Sequence, residues 1–359
     1  MIKIDIIAGA RPNFMKISPI IKEINNVNLK SDKIQYRLIH TGQHYDDNMS
    51  ESFFDQLKIP KPQINLNSGS GTQSEQTSKI MIGYEKALND ELPNYCLVVG
   101  DVNSTLGCSI VAKKMGIKVI HVEGGIRSGD MCMPEEINRI VTDSITDYFF
   151  TTSKTANKNL VKEGKNEKNI FFVGNTMIDT LLTFKKNFSK PYIWDKFKLS
   201  EKKYFILTLH RPSNVDDKDL FKNIIREIIN SANGFTVIYP AHPRTIKNLS
   251  EIKIDFEKLK IVEPLSYLEF NYLVSRSLAV ITDSGGITEE TTVLNIPCIT
   301  LRDSTERPET VTEGTNVLVG TDPKKIAPEI KKIVNGKWKK GTIPELWDGN
   351  ASKRIIDYI

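Results

Sequence analysis

The chain has 359 residues, of which 39% are apolar and 26% charged, and 49 Lys and Arg against 44 Asp and Glu give it a net charge of +5. This composition excludes a disordered chain, and the length predicts two domains. The small positive charge is compatible with anionic ligands and does not indicate a nucleic-acid partner. No apolar run comes near the roughly 20 residues of a bilayer-spanning helix, so no membrane partner is predicted.

The cysteines and the N-terminus predict a cellular compartment. Cys96, Cys108, Cys132 and Cys298 lack the Cys-x-x-Cys spacing that is typical of zinc sites, and they form no pattern of a disulfide framework. The first apolar run has no charged region before it and contains Asp5, which argues against a signal peptide. We therefore expect a cytoplasmic protein with reduced thiols and no metal site.

Short apolar runs alternate with stretches of helical spacing along the first half of the chain. Strands are predicted at residues 2–8, 36–39, 96–99, 118–122, 148–150 and 170–173, with helical spacing at 104–115 and 137–145. Apolar runs of this length between helices are typical of a parallel, doubly wound sheet buried on both faces. We predict a Rossmann-like domain over residues 1–185.

The same alternation restarts after a lysine-rich polar break at residues 185–203, which we interpret as a hinge. Strands are predicted at residues 204–209, 235–239, 260–262, 278–282 and 297–301. We predict a second Rossmann-like domain over residues 200–345 and a short terminal helix that is capped by Asn350. Ligands of open α/β sheets bind beyond the carboxyl ends of the strands, so two such domains would enclose a cleft.

Carboxylates follow two successive strands of the first domain. Asp101 comes after the strand at 96–99, and Glu123 after the strand at 118–122. Carboxylates that converge at strand ends raise each other's pKa, so these two predict general acid–base chemistry. Glu135 and Glu136 begin a helix, where acids also serve simply to complement the helix dipole.

Turns that suit an anion are predicted in both domains. Gly9-Ala10-Arg11-Pro12 is followed by Lys16, and Ser284-Gly285-Gly286 offers backbone N–H groups at a helix start. His210 and His242 each open a loop that carries an arginine beside a proline, which suits an anionic ligand. Neither the turn at Gly9 nor the turn at Ser284 is a G-x-G-x-x-G or a Walker loop, so no NAD or ATP site is predicted. The residues alone predict an enzyme that acts on a diphosphate-bearing ligand.

The motifs and their order along the chain resemble those of a known family, the non-hydrolysing UDP-N-acetylglucosamine 2-epimerases. The resemblance is carried by Gly9-Ala10-Arg11-Pro12 with Lys16, Thr41-Gly42-Gln43-His44, Gly100-Asp101, His121-Val122-Glu123-Gly124-Gly125, Pro134-Glu135-Glu136-Ile137-Asn138-Arg139, Gly174-Asn175, His210-Arg211-Pro212, Ala241-His242-Pro243, Asp283-Ser284-Gly285-Gly286 with Glu290, and Glu306-Arg307-Pro308-Glu309. It implies an α/β fold of the GT-B type. Two Rossmann-like, doubly wound domains would face a cleft, and residues 346–359 would return to the first domain.

The resemblance also implies the reaction. The family interconverts UDP-N-acetylglucosamine and UDP-N-acetylmannosamine, for surface polysaccharide precursors, without a cofactor. UDP is eliminated to leave 2-acetamidoglucal and is then added back while C2 is protonated on the opposite face. This chemistry needs a base, an acid and stabilisation of the departing diphosphate. Which carboxylate is the base stays open, and a homodimer is implied.

Carried over residue by residue, the resemblance implies three sets of site residues. The catalytic set is Lys16, Asp101, Glu123, Glu135 and His210. The set that binds UDP and the sugar is Arg11, His242, Ser284, Gly285, Gly286, Glu290 and Arg307. A possible second substrate site would include Gln43, His44 and Glu136.

Departures from the family pattern leave alternatives open. The loop between Glu123 and Pro134 is shorter than in the best-known members, and Pro212-Ser213-Asn214 replaces an arginine and a glutamate, so activation by a second substrate molecule is not settled. Pro243-Arg244-Thr245 is also found in relatives acting on UDP-diacetamido-uronic acids, whereas Glu306-Arg307-Pro308-Glu309 favours UDP-N-acetylglucosamine. The other hypotheses are a hydrolysing 2-epimerase, a GT-B glycosyltransferase and a nucleotide-sugar-binding module.

Overall fold

The computed structural model describes residues 1–30, 33–43, 54–241 and 258–359. They form two compact units, unit 1 with residues Met1–Thr183 and Glu345–Ile359, and unit 2 with residues Phe184–Pro344. Among these residues no helix combines the length and the apolar character needed to cross a membrane. His44 and His242, two of the predicted site residues, lie outside the described residues.

Unit 1 contains a parallel sheet with the strand order β3-β2-β1-β4-β5-β6-β7. Its strands are β1 (Ile2–Ala8), β2 (Ile34–His40), β3 (Ile64–Asn65), β4 (Tyr95–Val99), β5 (Lys118–Val122), β6 (Tyr148–Thr151) and β7 (Ile170–Phe172). Its helices are α1 (Arg11–Asn28), α2 (Gln73–Asp90), α3 (Asn103–Lys114), α4 (Pro134–Ile145), α5 (Lys154–Lys162), α6 (Thr176–Phe184) and α14 (Ala351–Tyr358), with a 3-10 helix at Glu167–Asn169. The strand order reverses between β1 and β4, the position where ligands bind in doubly wound sheets.

Asp5 is a buried acid in the middle of β1, away from the carboxyl ends of the strands. Arg37 on β2 donates two hydrogen bonds to its carboxylate, of 2.7 and 2.8 Å, and the Tyr84 hydroxyl donates a third of 3.0 Å. Burial raises the pKa of Asp5, and the arginine opposes that rise. Since these groups compensate the charge within the sheet, Asp5 has a structural role.

The terminal helix α14 is fixed to unit 1 by a buried acid on α6. The Asp179 carboxylate accepts the N–H groups of Ala351 and Ser352, at 3.1 and 2.7 Å, and the Ser352 hydroxyl at 2.6 Å. Asn350 occupies the N-cap position, but its side chain makes no capping hydrogen bond. The predicted Asn350 cap is therefore wrong, because a carboxylate from a distant helix satisfies the free N–H groups instead.

Unit 2 contains a second parallel sheet, with the order β10-β9-β8-β11-β12-β13. Its strands are β8 (Tyr204–Thr208), β9 (Thr236–Pro240), β10 (Leu259–Val262), β11 (Ala279–Thr282), β12 (Cys298–Thr300) and β13 (Asn316–Leu318). Its helices are α7 (Tyr192–Lys196), α8 (Pro212–Val215), α9 (Lys218–Ser231), α10 (Tyr267–Arg276), α11 (Gly285–Leu294), α12 (Pro308–Thr312) and α13 (Ile326–Val334), with 3-10 helices at Lys185–Asn187 and Pro323–Lys325.

The polar break predicted as a hinge, residues 185–203, lies entirely within unit 2. Ile193 on α7 is fully buried, and Leu199 is nearly so, in a core cluster that also contains Ile206 and Leu273. Two apolar side chains packed into a core cannot act as a free linker, so the interpretation of the whole break as a hinge is wrong.

The predicted fold class, an α/β fold of doubly wound parallel sheets, is confirmed. Every strand predicted from the sequence coincides with an observed strand. Two further strands, β3 and β13, were not predicted from the sequence; they are edge strands of two and three residues. Strands this short have too few apolar residues to give a periodic signal.

Candidate active site

The turn after β1 brings the start of α1 close to the end of β4. Oδ1 of Asn13 accepts the N–H groups of Gly9 and Ala10, both at 3.0 Å, and its Nδ2 donates to the Val99 carbonyl at 3.1 Å. A Cβ atom at Gly9 would lie 1.9 Å from the Ser104 hydroxyl oxygen, so only glycine fits there. This turn places Arg11, which is exposed, at the first position of the helix.

Lys16 on α1 forms a buried ion pair with Glu123, which follows β5. The distance from Nζ to Oε2 is 2.7 Å, and both side chains are almost fully buried. Glu123 has a left-handed backbone with φ 72°, a conformation that is costly for a residue other than glycine and that often marks a functional site. A Cβ atom at Gly100 would lie 2.8 Å from Nζ of Lys16, so a side chain there would displace the ammonium group.

Asp101, after β4, is bound by an arginine on α4. Its Oδ2 accepts hydrogen bonds from Nε of Arg139 at 3.0 Å and from Nη2 at 2.6 Å. The guanidinium thus makes a charge-assisted contact with one oxygen of the carboxylate. Arg139 belongs to a motif that carries the family resemblance, but it was not among the predicted site residues. Its position three residues after Glu136 on a helix could have indicated an ion pair, because that spacing brings opposite charges together.

The structure separates the neighbours Glu135 and Glu136. Glu136 is buried, and its carboxylate accepts the N–H groups of Ser128 and Gly129, both at 2.9 Å, and Nη1 of Arg139 at 2.6 Å. Burial raises its pKa, but these three donors outweigh burial and lower the pKa below its usual value. Glu136 thus fixes the loop after Glu123, whereas Glu135 is exposed in the first turn of α4.

Gln43, predicted at a second substrate site, contacts the start of α3. Its Oε1 accepts the Ser104 hydroxyl at 2.8 Å, and its backbone carbonyl accepts Nε2 of Gln76 at 3.2 Å. The Ser104 hydroxyl is also 2.7 Å from the hydroxyl of Thr41. Gln43 therefore lies beside the end of β1, which leads into the turn at Gly9, and the end of β4, which leads to Asp101.

In unit 2, a buried aspartate organises the loop that carries His210. Asp283, after β11, accepts the N–H groups of His210 and Arg211, at 3.0 and 2.9 Å, and Nδ2 of Asn214 at 3.0 Å. Nδ1 of His210 is 2.7 Å from Oδ1 of Asp283. Burial raises the pKa of Asp283, but His210, Asn214 and the N–H of Arg211 lower it overall.

The His210 ring is 63% exposed. Its Nδ1 faces the Asp283 carboxylate, so Nε2 lies on the opposite side of the ring. Asp283 belongs to a motif that carries the family resemblance, but it was not among the predicted site residues. A buried acid beside a histidine loop cannot be distinguished from other strand-end acids by sequence alone.

The Ser284-Gly285-Gly286 turn begins α11, with Ser284 at the N-cap. A Cβ atom at Gly285 would lie 2.5 Å from Oε1 of Glu306, so the glycine permits that close approach. Glu306 is itself bound by Arg302, with Nη2 to Oε2 at 2.5 Å. The first N–H groups of a helix such as α11 can bind phosphate.

Glu290 and Arg307 are both buried in unit 2. Glu290 lies in the second turn of α11, and it accepts the hydroxyl of Tyr267 at 2.9 Å. Burial raises the pKa of Glu290 to about 7. Arg307 donates from Nε to the carboxylate of Glu289, which precedes Glu290 on α11.

Among the described residues, no group of three or more His, Cys, Asp or Glu side chains could hold a metal ion.

A family model for UDP-N-acetylglucosamine 2-epimerase matches residues 27–359. The chain belongs to this family. A UDP-N-acetylglucosamine 2-epimerase of Methanocaldococcus jannaschii is 43% identical over 367 aligned positions, which cover 99% of this chain and 98% of that protein. The crystal structure of the UDP-GlcNAc 2-epimerase from the same organism, in complex with UDP-GlcNAc and UDP, has a TM-score of 0.88 at 43% identity and full coverage of both chains.

A relative named for a different substrate is nearly as similar. The UDP-2,3-diacetamido-2,3-dideoxy-D-glucuronate 2-epimerase of Pseudomonas aeruginosa is 39% identical to this chain, with 99% of both chains covered. The comparisons therefore confirm the resemblance to the 2-epimerases that the motifs indicated.

Proposed function

We propose that this chain is a non-hydrolysing UDP-N-acetylglucosamine 2-epimerase that forms UDP-N-acetylmannosamine and supplies surface polysaccharide precursors. One observation carries the proposal: Asp101 and Glu123 follow adjacent strands of the unit 1 sheet, and each is bound to a cation of its own, Arg139 and Lys16. Two carboxylates at neighbouring strand ends can remove a proton and return one to the same carbon.

The chemistry follows from the substrate. C2 of an N-acetylhexosamine has no adjacent carbonyl group, so its proton is too weakly acidic for simple removal and return. We propose that a carboxylate takes the C2 proton while the bond from C1 to the UDP oxygen breaks. The C–H electron pair becomes the C1–C2 double bond, and UDP leaves with the C1–O pair. Re-addition of UDP with protonation on the opposite face gives the epimer.

Asp101 and Glu123 serve as the base and acid pair in this proposal, and they exchange roles when the reaction runs backwards. Lys16 neutralises Glu123 and contributes positive charge beside the reacting carbon. Glu135 is retained as a third acid because its carboxyl is exposed and available to a ligand. Glu136 is not retained as a ligand, because backbone N–H groups and Arg139 already bind its carboxylate.

Residues of unit 2 are proposed to bind UDP. Backbone N–H groups at Ser284-Gly285-Gly286 and the Arg307 guanidinium would bind the diphosphate, and Glu290 would accept the ribose hydroxyls. His210, oriented by Asp283, would stabilise the departing diphosphate. Arg11 at the start of α1 would add a cation for the phosphates or the sugar. His242 stays a prediction from the resemblance.

Incubation with UDP-GlcNAc, followed by NMR of the sugar and phosphate signals, tests the proposal. We expect UDP-ManNAc to accumulate to an equilibrium mixture without matching release of UDP. Stoichiometric UDP and free ManNAc would identify a hydrolysing enzyme. Asp101→Asn and Glu123→Gln should lower the rate at least about 100-fold, as is usual for loss of general acid–base catalysis. Unchanged activity in both variants would refute the assignment of these acids.

The Pseudomonas aeruginosa relative supports a second candidate substrate, a UDP-2,3-diacetamido-uronic acid. The two candidates are separated by the ratio of kcat/KM for the two UDP-sugars. We propose UDP-GlcNAc as the better substrate, and a higher kcat/KM for the uronic acid would reverse that choice. Transfer of the sugar to an acceptor without change at C2 would instead identify a glycosyltransferase.

We further propose that the enzyme works in the cytoplasm as a homodimer, as the sequence and the resemblance indicate. The chain mass is 40.6 kDa. Light scattering coupled to size-exclusion chromatography should give twice this mass, and the single-chain mass would refute the dimer.

A further inference from the structure

His121 lies inside the unit 1 sheet with hydrogen-bond acceptors at both ring nitrogens. It is the fourth residue of β5, between Val98 of β4 and Phe149 of β6, and its side chain is fully buried. Its Nδ1 is 2.7 Å from Oδ1 of Asp143, and its Nε2 is 2.8 Å from the Gly100 carbonyl oxygen. Neither contact belongs to the set of residues proposed above to touch the substrate.

These two contacts engage both ring nitrogens of His121. A peptide carbonyl only accepts hydrogen bonds, so Nε2 donates to Gly100. On the other side of the ring, burial raises the pKa of Asp143, but His121, Arg127 and the N–H of Gly125 outweigh burial and lower the pKa below its ordinary value. The ring therefore joins the Gly100 carbonyl to the Asp143 carboxyl group.

The opposite oxygen of Asp143 is bound to the loop after Glu123. Oδ2 accepts the Gly125 N–H at 2.9 Å, and Nη1 of Arg127 is 2.7 Å away. A Cβ atom at Gly124 would lie 3.2 Å from Oδ1 of Asp143, so the loop backbone packs directly on the pair. The backbone that follows Glu123 is therefore held by Asp143.

Nε2 of His121 binds the residue that precedes the other acid. Gly100 has φ 66°, and its N–H donates to the Val122 carbonyl at 3.1 Å while its own carbonyl accepts from His121. The next residue is Asp101. With both the N–H and the carbonyl of Gly100 hydrogen-bonded, the direction in which Asp101 leaves the strand is fixed.

We propose that the hydrogen-bonded pair of His121 and Asp143 is a positioning device that holds the chain at Asp101 and the chain at Glu123 in one fixed relation. The pair contacts the Gly100 carbonyl, next to Asp101, and the Gly125 N–H, two residues after Glu123, and neither member is among the residues proposed to touch the substrate. Displacement of a reacting group by about 1 Å costs on the order of 100-fold in rate. This inference rests on the proposed function of the two acids.

Two substitutions of His121 separate its two hydrogen bonds. His121→Asn keeps an amide N–H near the position of Nδ1, toward Asp143, and loses the donor to Gly100. His121→Gln keeps an amide N–H near Nε2, toward Gly100, and loses the donor to Asp143. We expect kcat for epimerisation to fall about 10- to 100-fold in the Asn variant and less in the Gln variant. KM for UDP-GlcNAc should stay within about threefold in both.

Asp5→Asn is the matched control, since Asp5 is an equally buried acid in an ion pair of the same sheet, away from the strand ends. It should lower Tm and leave kcat within about twofold. If Asp5→Asn lowers kcat as much as His121→Asn does, or if His121→Asn keeps the wild-type kcat, the positioning role is refuted.

NMR of the 15N-labelled wild-type chain tests the hydrogen bond to Gly100 without any assay of activity. The chain has five histidines, and His121→Gln assigns the signal. We expect a proton on Nε2 of His121, with slow exchange because the ring is buried and Nε2 is bound to the Gly100 carbonyl. An Nε2 without a proton, or one whose proton exchanges rapidly, would overturn the proposal. An inactive wild type would instead refute the proposed function, and the NMR result would still stand as the test of this hydrogen bond.

Discussion

Lys16 and Glu123 are 107 residues apart in the chain, and they form a buried ion pair with Nζ 2.7 Å from Oε2. The pair joins the first helix of unit 1 to the end of β5, next to the strand that leads to Asp101. A buried charge needs its partner, because removal of one partner leaves the other uncompensated in a low-dielectric site. The charge balance of the proposed site is thus also part of the stability of unit 1.

A double-mutant cycle on this pair should show strong coupling. Lys16→Met and Glu123→Gln should each lower the free energy of unfolding by about 3 kcal/mol or more, because each leaves one buried charge. The double variant should lose less than the sum of the two single losses. Urea unfolding followed by Trp347 fluorescence, with Trp194 and Trp338 replaced by Phe, reports unit 1 alone. Additive losses would mean that the two side chains are not coupled.

Glu290 should make unit 2 less stable as the pH rises. Its pKa is about 7 in the folded chain against 4.5 for an ordinary glutamate, so the folded form keeps a proton that the unfolded form has lost between these values. Its stabilising contribution is present below pH 4.5 and is lost as the pH rises through about 7. Glu290→Gln removes this loss, so the Tm of the variant relative to wild type should be about 5–10 °C higher at pH 8 than at pH 5.

Burial also raises the pKa of Glu309 to about 7. Because Glu309 is present in both wild type and variant, its contribution cancels in the difference between their Tm values. Differential scanning calorimetry in matched buffers measures Tm. A Tm difference that does not change with pH would contradict the raised pKa. UDP should raise Tm less in the variant than in wild type, because the proposed acceptor of the ribose hydroxyls is altered.

The Asp179 cap should be worth more than the ion pair beside it. Asp179→Ala leaves the N–H groups of Ala351 and Ser352 unsatisfied in a buried place, and it should cost about 1–3 kcal/mol in the Trp347 unfolding assay. Asp348→Ala, which breaks the exposed pair with Arg354, should cost less than about 1 kcal/mol. Equal losses would show that α14 is not fixed by the Asp179 carboxylate.

Thiol reactivity should distinguish one cysteine from the other three. Cys132 is exposed, whereas Cys96, Cys108 and Cys298 are buried. Burial raises the pKa of Cys298 to about 12 and raises the pKa of the other two buried thiols as well. A reagent that alkylates thiolates should modify only Cys132 in the native chain and all four cysteines after unfolding. Mass spectrometry of digests counts the modified sites, and rapid labelling of a buried thiol would contradict this packing.

The sequence predicted the central strands well because each is a compact apolar run bounded by small or polar residues. It failed where a contact comes from far away in the chain. The N-terminus of α14 is satisfied by Asp179 rather than by Asn350, and Ile193 packs into unit 2 although it lies in a lysine-rich stretch. Neither contact has a local signature, so only the folded chain could show them.

The candidate site also divides into what the sequence predicts and what only the folded chain shows. Strand-end placement predicted Asp101 and Glu123 as site residues, and two adjacent glycines predicted the turn at Ser284. Arg139, which binds Asp101, and Asp283, which binds His210, were not among the predicted site residues. Their roles depend on which carboxylate or ring each side chain meets, and a single sequence does not contain that pairing.

The most direct test of the proposed reaction is epimerisation of UDP-GlcNAc in D2O, followed at C2 by NMR and mass spectrometry. Removal and return of the C2 proton through Asp101 and Glu123 predicts that UDP-ManNAc forms with deuterium at C2 and that recovered UDP-GlcNAc also gains deuterium. UDP-ManNAc that retains the original hydrogen at C2, or no reaction at all, would contradict the account.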